Sequence, residues 1–154
     1  MQIILFEPQI PQNTGNVVRT CKVTGSDLIL INPGFDTSDR MLKRAGLDYW
    51  DGVNVSVKDN LRPILEGHRG PLHFFTSKAT QLYTSVSYQN DSILIFGSET
   101  KGLPDWVHQD YEKELVKLPM VENVRCLNLA TSVGIGLYEA LRQTNFTGRH
   151  QQNA

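Results

Sequence analysis

The stretch Asn13-Thr14-Gly15-Asn16-Val17-Val18-Arg19 gathers two amides, a glycine and a guanidinium within two helical turns. Asn16 and Arg19, three residues apart, share a helix face. A glycine in a first turn leaves backbone N–H groups open to an anion, so the segment suits a phosphate or ribose phosphate. A capped helix with one surface arginine is the alternative. Gly97 follows directly on a buried-strand pattern, where the lack of a Cβ lets backbone approach a flat ligand; a simple turn requirement explains it equally. Glu99, two residues on, can accept a hydroxyl or an ammonium, or can cap a helix. Arg40, Lys43 and Arg44 with Tyr49 and Trp50 combine cations and stacking surfaces, the ingredients of a single-stranded RNA site. A solvated helix beside core aromatics is the plainer reading of that cluster.

Several familiar chemistries are absent. Gly97-Ser98-Glu99-Thr100-Lys101-Gly102 has the spacing of a phosphate loop, but Leu103 stands where the lysine belongs. Gly134-Ile135-Gly136 opens like a dinucleotide fingerprint but lies inside a helical pattern and not at a strand-to-helix turn. His68, His73, His108 and His150 show no ligand spacing, and Cys21 and Cys126 form no CxxC pair, so no metal is expected. No Ser/His/Asp constellation is visible. The 15 Lys+Arg against 16 Asp+Glu give a net charge of -1, so nucleic acid contact must come from a local patch. No apolar run approaches the roughly 20 residues of a membrane span, and Met1 leads straight into a strand pattern without a basic n-region. The expected location is cytoplasmic, with both cysteines reduced.

The elements that must position these residues alternate. Gln2–Phe6, Leu28–Ile31, Leu72–Phe75 and Ile93–Phe96 are short continuous apolar runs, the pattern of strands buried on both faces of a parallel sheet. Val53–Val57 alternates like a half-exposed strand. Asn13 or Thr14 caps a predicted helix running to about Thr24, with Val17, Val18 and Cys21 inward and Gly25 as the stop. Short helices are expected from Asp39, from Asp59 through Leu61, Ile64 and Leu65, and from Pro104 toward Trp106 and Val107. Thr76–Asp91 reads as loop with one helical turn. Leu115–Met120 is a strand stopped by Pro119, Val121–Cys126 a polar loop, and Leu127–Arg142 a helix with Leu127, Ala130, Val133, Leu137 and Leu141 on one face. That last strand-loop-helix unit ends its strand where open α/β sheets bind ligands, and it is the expected cofactor site. The class is α/β with a mostly parallel sheet and helices on both faces, in one domain spanning residues 1–154.

Three motifs in order, Asn13-x-Gly15-Asn16-x-x-Arg19, Phe96-Gly97-x-Glu99-x-x-Gly102-Leu103, and Leu118-Pro119-Met120 followed by Arg125-Cys126-Leu127-Asn128-Leu129, resemble those of the SPOUT (α/β-knot) RNA methyltransferases. Their spacing, with Lys43-Arg44-Ala45-Gly46-Leu47-Asp48-Tyr49, is closest to the TrmL/YibK group, which methylates the ribose 2′-oxygen of the tRNA wobble nucleotide. The resemblance covers nearly the whole chain. It implies a deep C-terminal trefoil knot, an exception to the usual unknotted topology, a homodimer, and S-adenosylmethionine held by the knot loops. Carried over residue by residue, it puts the cofactor against Phe75, Thr76, Gly97, Glu99, Leu118, Cys126 and Leu127. The family often has Ser where this chain has Cys126.

The same resemblance makes Arg19, Asn16 and Asn128 the catalytic set and sets Tyr138 against the RNA or the partner subunit, while the basic-aromatic cluster offers Arg40, Lys43 and Arg44 as RNA contacts. The implied substrate is the anticodon arm of tRNA, with cytidine or 5-carboxymethylaminomethyluridine at the wobble position of tRNA-Leu isoacceptors. Arg19 suits positioning of a phosphate and stabilisation of a developing alkoxide better than proton abstraction, because a guanidinium holds its proton with a pKa above about 12. The rivals are a non-catalytic knotted RNA-binding module, a ribose methyltransferase acting at another RNA site, and a small-molecule methyltransferase.

Overall fold

Six strands, β1 (Gln2–Phe6), β2 (Asp27–Ile31), β3 (Val55–Lys58), β4 (Leu72–Phe75), β5 (Ile93–Phe96) and β6 (Leu115–Val116), pair in the order β3-β2-β1-β5-β4-β6. Every pairing between these strands is parallel. The computed structural model describes residues 1–38, Trp50 and 52–149. The helix expected from Asp39, with Arg40, Lys43, Arg44 and Tyr49, lies outside the described residues.

Side-chain alternation along the strands builds two apolar layers. Ile3, Leu5, Leu28, Leu30, Leu94 and Phe96 face helices α1 (Pro11–Thr24) and α4 (Leu129–Gln143), meeting Val17, Cys21, Val133 and Leu137 there. Ile4, Ile29, Phe74, Ile93 and Ile95 face the opposite side, where α2 (Arg62–Gly67) supplies Leu65 and α3 (Asp105–Asp110) supplies Val107. Burial on both faces is what the uninterrupted apolar runs encode. Full burial of one such side chain is worth roughly 1.5–3 kcal/mol.

The chain fills β1, β2 and β3 outward in one direction, then crosses β1 to form β4 on the other side, β5 between β1 and β4, and β6 at the far edge. Such a reversal opens a crevice at the carboxyl ends of the central strands. The loops after β4, β5 and β6 and the entry to α1 after β1 all emerge there. Burial has chemical consequences beside this core: the Cys21 thiol is pushed up to about 12, chiefly by desolvation and secondarily by Asp27. His73, its ring tilted 43° to that of Tyr88 with centroids 4.3 Å apart, is pushed down to about 4 by burial alone.

Several boundaries differ from the expectation, β3 among them, which starts at Val55 and not Val53. Helix α1 starts at Pro11, with Ile10 as its N-cap residue and no local side-chain cap, so neither Asn13 nor Thr14 caps it. Proline at the first helical position has its φ preset and lacks only an N–H that would have no intrahelical partner. Helix α2 starts at Arg62, whose N–H donates to Asn60 Oδ1 at 3.1 Å, so Asn60 and not Asp59 marks its entry. Strand β6 is two residues long; Lys117 makes only an isolated bridge to Leu82 before Pro119. Leu127 is 41% exposed and precedes α4, so it does not join the helix's core face. Gly25 ends α1 at φ 62°, and the turn expected within Thr76–Asp91 is the 3-10 segment Tyr83–Ser85.

Candidate active site

A cleft of ≈ 770 Å³ opens at the carboxyl ends of β4, β5 and β6, bounded by residues 75–78 and 96–103, by Leu118, Met120 and residues 125–129, and closed on one side by Ile10 and Asn13. Its floor is apolar: Phe75 and Phe96 stack with ring centroids 4.5 Å apart. Gly136 of α4 lies against them, since a Cβ there would come within 2.7 Å of the Phe75 ring. The glycine in the helix therefore serves close packing inside the fold.

The loop between β5 and α3 is shaped by its own backbone. Ser98 and Gly102 exchange backbone hydrogen bonds at 3.2 and 3.0 Å, with Gly102 at φ 68°. Ser98 Oγ accepts from the Lys101 N–H at 2.9 Å. A Cβ on Gly97 would sit 2.2 Å from the Gly102 carbonyl carbon and 2.3 Å from the Leu103 nitrogen. The close approach that requires glycine at 97 is thus to the returning loop, not to a flat ligand.

Glu99 is fixed by that loop and reaches the start of α1. Its Oε2 accepts from the Gln9 N–H at 2.8 Å, and its Oε1 accepts from the Ile10 N–H at 3.2 Å and from Asn13 Nδ2 at 3.1 Å. A carboxylate here meets both the unpaired N–H groups and the positive end of the helix dipole. It replaces the missing local cap. Asn13, 7% exposed, then accepts at Oδ1 from Asn128 Nδ2 at 2.8 Å. Asn128 in turn caps α4, its Oδ1 accepting from the N–H groups of Ala130 and Thr131 at 2.9 and 3.3 Å. One relay, Glu99 to Asn13 to Asn128, therefore joins all three sequence motifs and locks two helix N-termini to one loop.

On the other wall, the Thr76 N–H donates to the Val116 carbonyl at 2.9 Å. His108 Nδ1 donates to the Pro104 carbonyl at 3.2 Å, since a carbonyl can only accept, and its Nε2 lies 3.2 Å from the Thr76 hydroxyl. Thr76 Oγ1 also accepts from the Lys78 N–H at 3.3 Å. Helix α3 thereby holds the 76–78 segment against the cleft.

The seven residues expected at a cofactor, Phe75, Thr76, Gly97, Glu99, Leu118, Cys126 and Leu127, all line this single cleft, as does Asn128. Asn16 and Arg19 lie on the exposed face of α1 and Tyr138 on the exposed face of α4, outside the lining. Arg40, Lys43 and Arg44 lie outside the described residues. The sequence carries no signal for His108, whose role depends on a loop it does not adjoin in the chain. Nor did it single out Lys78, Lys101 or Arg125, which line the cleft from three different loops. No group of acidic, histidine or cysteine side chains able to hold a metal occurs among the described residues, and no described helix is long and apolar enough to cross a membrane.

Comparison with known proteins places this arrangement. Residues 1–138 match the model of the SpoU rRNA Methylase family. A tRNA (cytidine(34)-2′-O)-methyltransferase from Methylovorus glucosotrophus is 41% identical over 149 residues, covering 95% of this chain and 97% of that protein. A solved structure described under the 2-OH methylation of C/U34 on tRNA superposes with a TM-score of 0.83 at 38% identity, covering 94% of this chain and 90% of that one. The SpoU methyltransferase AviRb from Streptomyces viridochromogenes, solved in complex with AdoMet, shares the fold at 20% identity and a TM-score of 0.81, over 94% of this chain and 58% of its own.

Proposed function

The chain belongs to the SpoU rRNA Methylase family, and from that premise we propose that it is a cytoplasmic, S-adenosylmethionine-dependent tRNA 2′-O-methyltransferase acting on the wobble cytidine or modified uridine. The observation that carries the reading is the convergence of all three motifs on one cleft through the Glu99–Asn13–Asn128 relay. The chain's likeness to a tRNA wobble-position methyltransferase over nearly its full length supports the substrate class. We place the trefoil knot in the return of residues 117–128 across the ends of β4 and β5, and we propose a homodimer.

The cleft suits the cofactor on its own chemistry. Its volume of ≈ 770 Å³ lies in the range of small-molecule sites, and its apolar floor with a rim of backbone groups suits a nucleoside. Phe75, Leu118 and Leu127 would give apolar contact, while Thr76, Gly97 and Cys126 would present backbone. Glu99, with both carboxylate oxygens already accepting from the start of α1, would shape the site more than bind in it. When bound, the cofactor supplies an electrophilic methyl group on a sulfonium.

The chain's own residues must then bring a ribose hydroxyl into line and make its oxygen more nucleophilic. Arg19 and Asn16 lie outside the lining of their own protomer's cleft, so in the proposed homodimer they would serve the partner's site, Arg19 as fixed positive charge for the adjacent phosphate and the developing alkoxide and Asn16 in orienting the ribose. Asn128 holds the loop that bears Cys126 and Leu127. Two measurements test the reading together. S-adenosylhomocysteine at 100 times its Kd should stabilise the protein by roughly 2.7 kcal/mol, and labelled methyl should pass from S-adenosylmethionine to tRNA. Stabilisation without transfer to any RNA would turn the reading toward a small-molecule methyltransferase; neither effect would leave a binding module.

A further inference from the structure

Three cations line the cleft, Lys78 after β4, Lys101 after β5 and Arg125 after β6, against a single carboxylate, Glu99. Glu99 is already engaged with Gln9, Ile10 and Asn13. The three cationic side chains are exposed and make neither an ion pair nor a side-chain hydrogen bond among the described residues. The cleft is thus locally positive in a chain whose net charge is -1. Three exposed cations around one cleft mouth raise the local potential and draw anions to it.

The proposed cofactor is not such an anion. It carries a sulfonium and an ammonium against one carboxylate, so its net charge repels the rim. A polyanion suits that rim. We propose, building on the reading of an RNA substrate, that Lys78, Lys101 and Arg125 form a phosphate clamp that holds the RNA backbone at the cleft mouth. The guanidinium of Arg125 can grip a phosphate through two parallel N–H donors, whereas the lysines act as point charges. Lys78 also borders a smaller hollow with Asp105 and Glu112, which attenuates its field, so its individual share is the smallest of the three.

The test uses the full-length protein and an unmodified tRNA transcript, with affinity measured by fluorescence anisotropy between 50 and 200 mM KCl. In the variant Lys78→Gln, Lys101→Gln, Arg125→Gln, the slope of log affinity against log salt should become shallower by about 2, the loss expected for three contacts to a single strand. Binding of S-adenosylhomocysteine, followed by calorimetry, should not change. The control Lys58→Gln, Lys113→Gln, on exposed lysines outside the cleft lining, should keep the wild-type slope. An unchanged slope in the triple variant overturns the clamp. Weakened S-adenosylhomocysteine binding with an unchanged slope overturns it too and assigns the cations to the cofactor carboxylate. Methyl transfer by the wild-type protein is scored separately; its absence would count against the enzymatic reading, not the clamp.

Discussion

Arg19→Ala removes a cation from an exposed helix face that does not line the cleft. The proposed roles then separate cleanly: methyl transfer should fall on the order of 10²-fold or more, as for loss of one donor to a developing oxyanion. Affinity for S-adenosylhomocysteine should stay the same. Loss of cofactor binding in calorimetry would contradict this division. The two thiols also differ in ways that labelling can read. Cys126 is exposed within the cleft, while Cys21 is fully buried with its thiol pushed up to about 12. Iodoacetamide should therefore modify Cys126 alone in the native protein, and S-adenosylhomocysteine should slow that reaction. Peptide mapping that finds Cys21 labelled at a similar rate would show that the α1 layer opens readily. At this scale the sequence revealed residue types but not commitments. Glu99 was legible as a carboxylate beside a glycine, but that it caps a helix 88 residues earlier in the chain depends on the parallel pairing of β1 with β5.

Helix α4 carries two glycines with opposite surroundings. A Cβ on Gly136 would press within 2.7 Å of the Phe75 ring, whereas a Cβ on Gly134 would meet nothing within 4 Å. Gly134→Ala should stabilise the protein by roughly 1 kcal/mol through helix propensity. Gly136→Ala should destabilise it by about 1–3 kcal/mol through overpacking, and should weaken cofactor binding because Phe75 forms the cleft floor. Denaturant unfolding of the two variants checks both signs, and equal effects would mean that the packing of α4 on Phe75 does not govern the floor. The apolar runs made β1, β2, β4 and β5 legible because a strand buried on both faces needs no polar alternation. The helix starts were less legible, since α1 takes its cap from across the sheet and local capping rules could not see it. Strand β6 is shorter than its apolar run suggests because Leu118, as apolar as Val116, lines the cleft and does not extend the sheet.

For the whole molecule, the parallel sheet with a reversal at β1 explains why four loops meet at one end, and α/β alternation in the sequence pointed to that architecture. Stability should carry the mark of the core. His73 is buried and held down to about 4, so the unfolded chain, with its histidine near 6.5, takes up a proton first as pH falls. The contribution of the neutral ring is complete above about pH 6.5 and declines until about pH 4, with a slope approaching 1.4 kcal/mol per pH unit. Comparing unfolding free energies of the wild type and His73→Phe across that window should show a steeper acid loss in the wild type. Parallel curves would mean that His73 takes up its proton as readily in the native state as in the unfolded chain.

The proposed reaction is specific in chemistry and in position: a methyl group goes to the 2′-oxygen of the wobble ribose. The most direct test incubates the purified protein with S-adenosylmethionine and hypomodified tRNA, then maps the product by nucleoside and oligonucleotide mass spectrometry. A 2′-O-methylated pyrimidine confined to the wobble position, and absent when that ribose is 2′-deoxy, is the predicted result. Methylation on a base, or on a ribose elsewhere with the wobble position untouched, would contradict it.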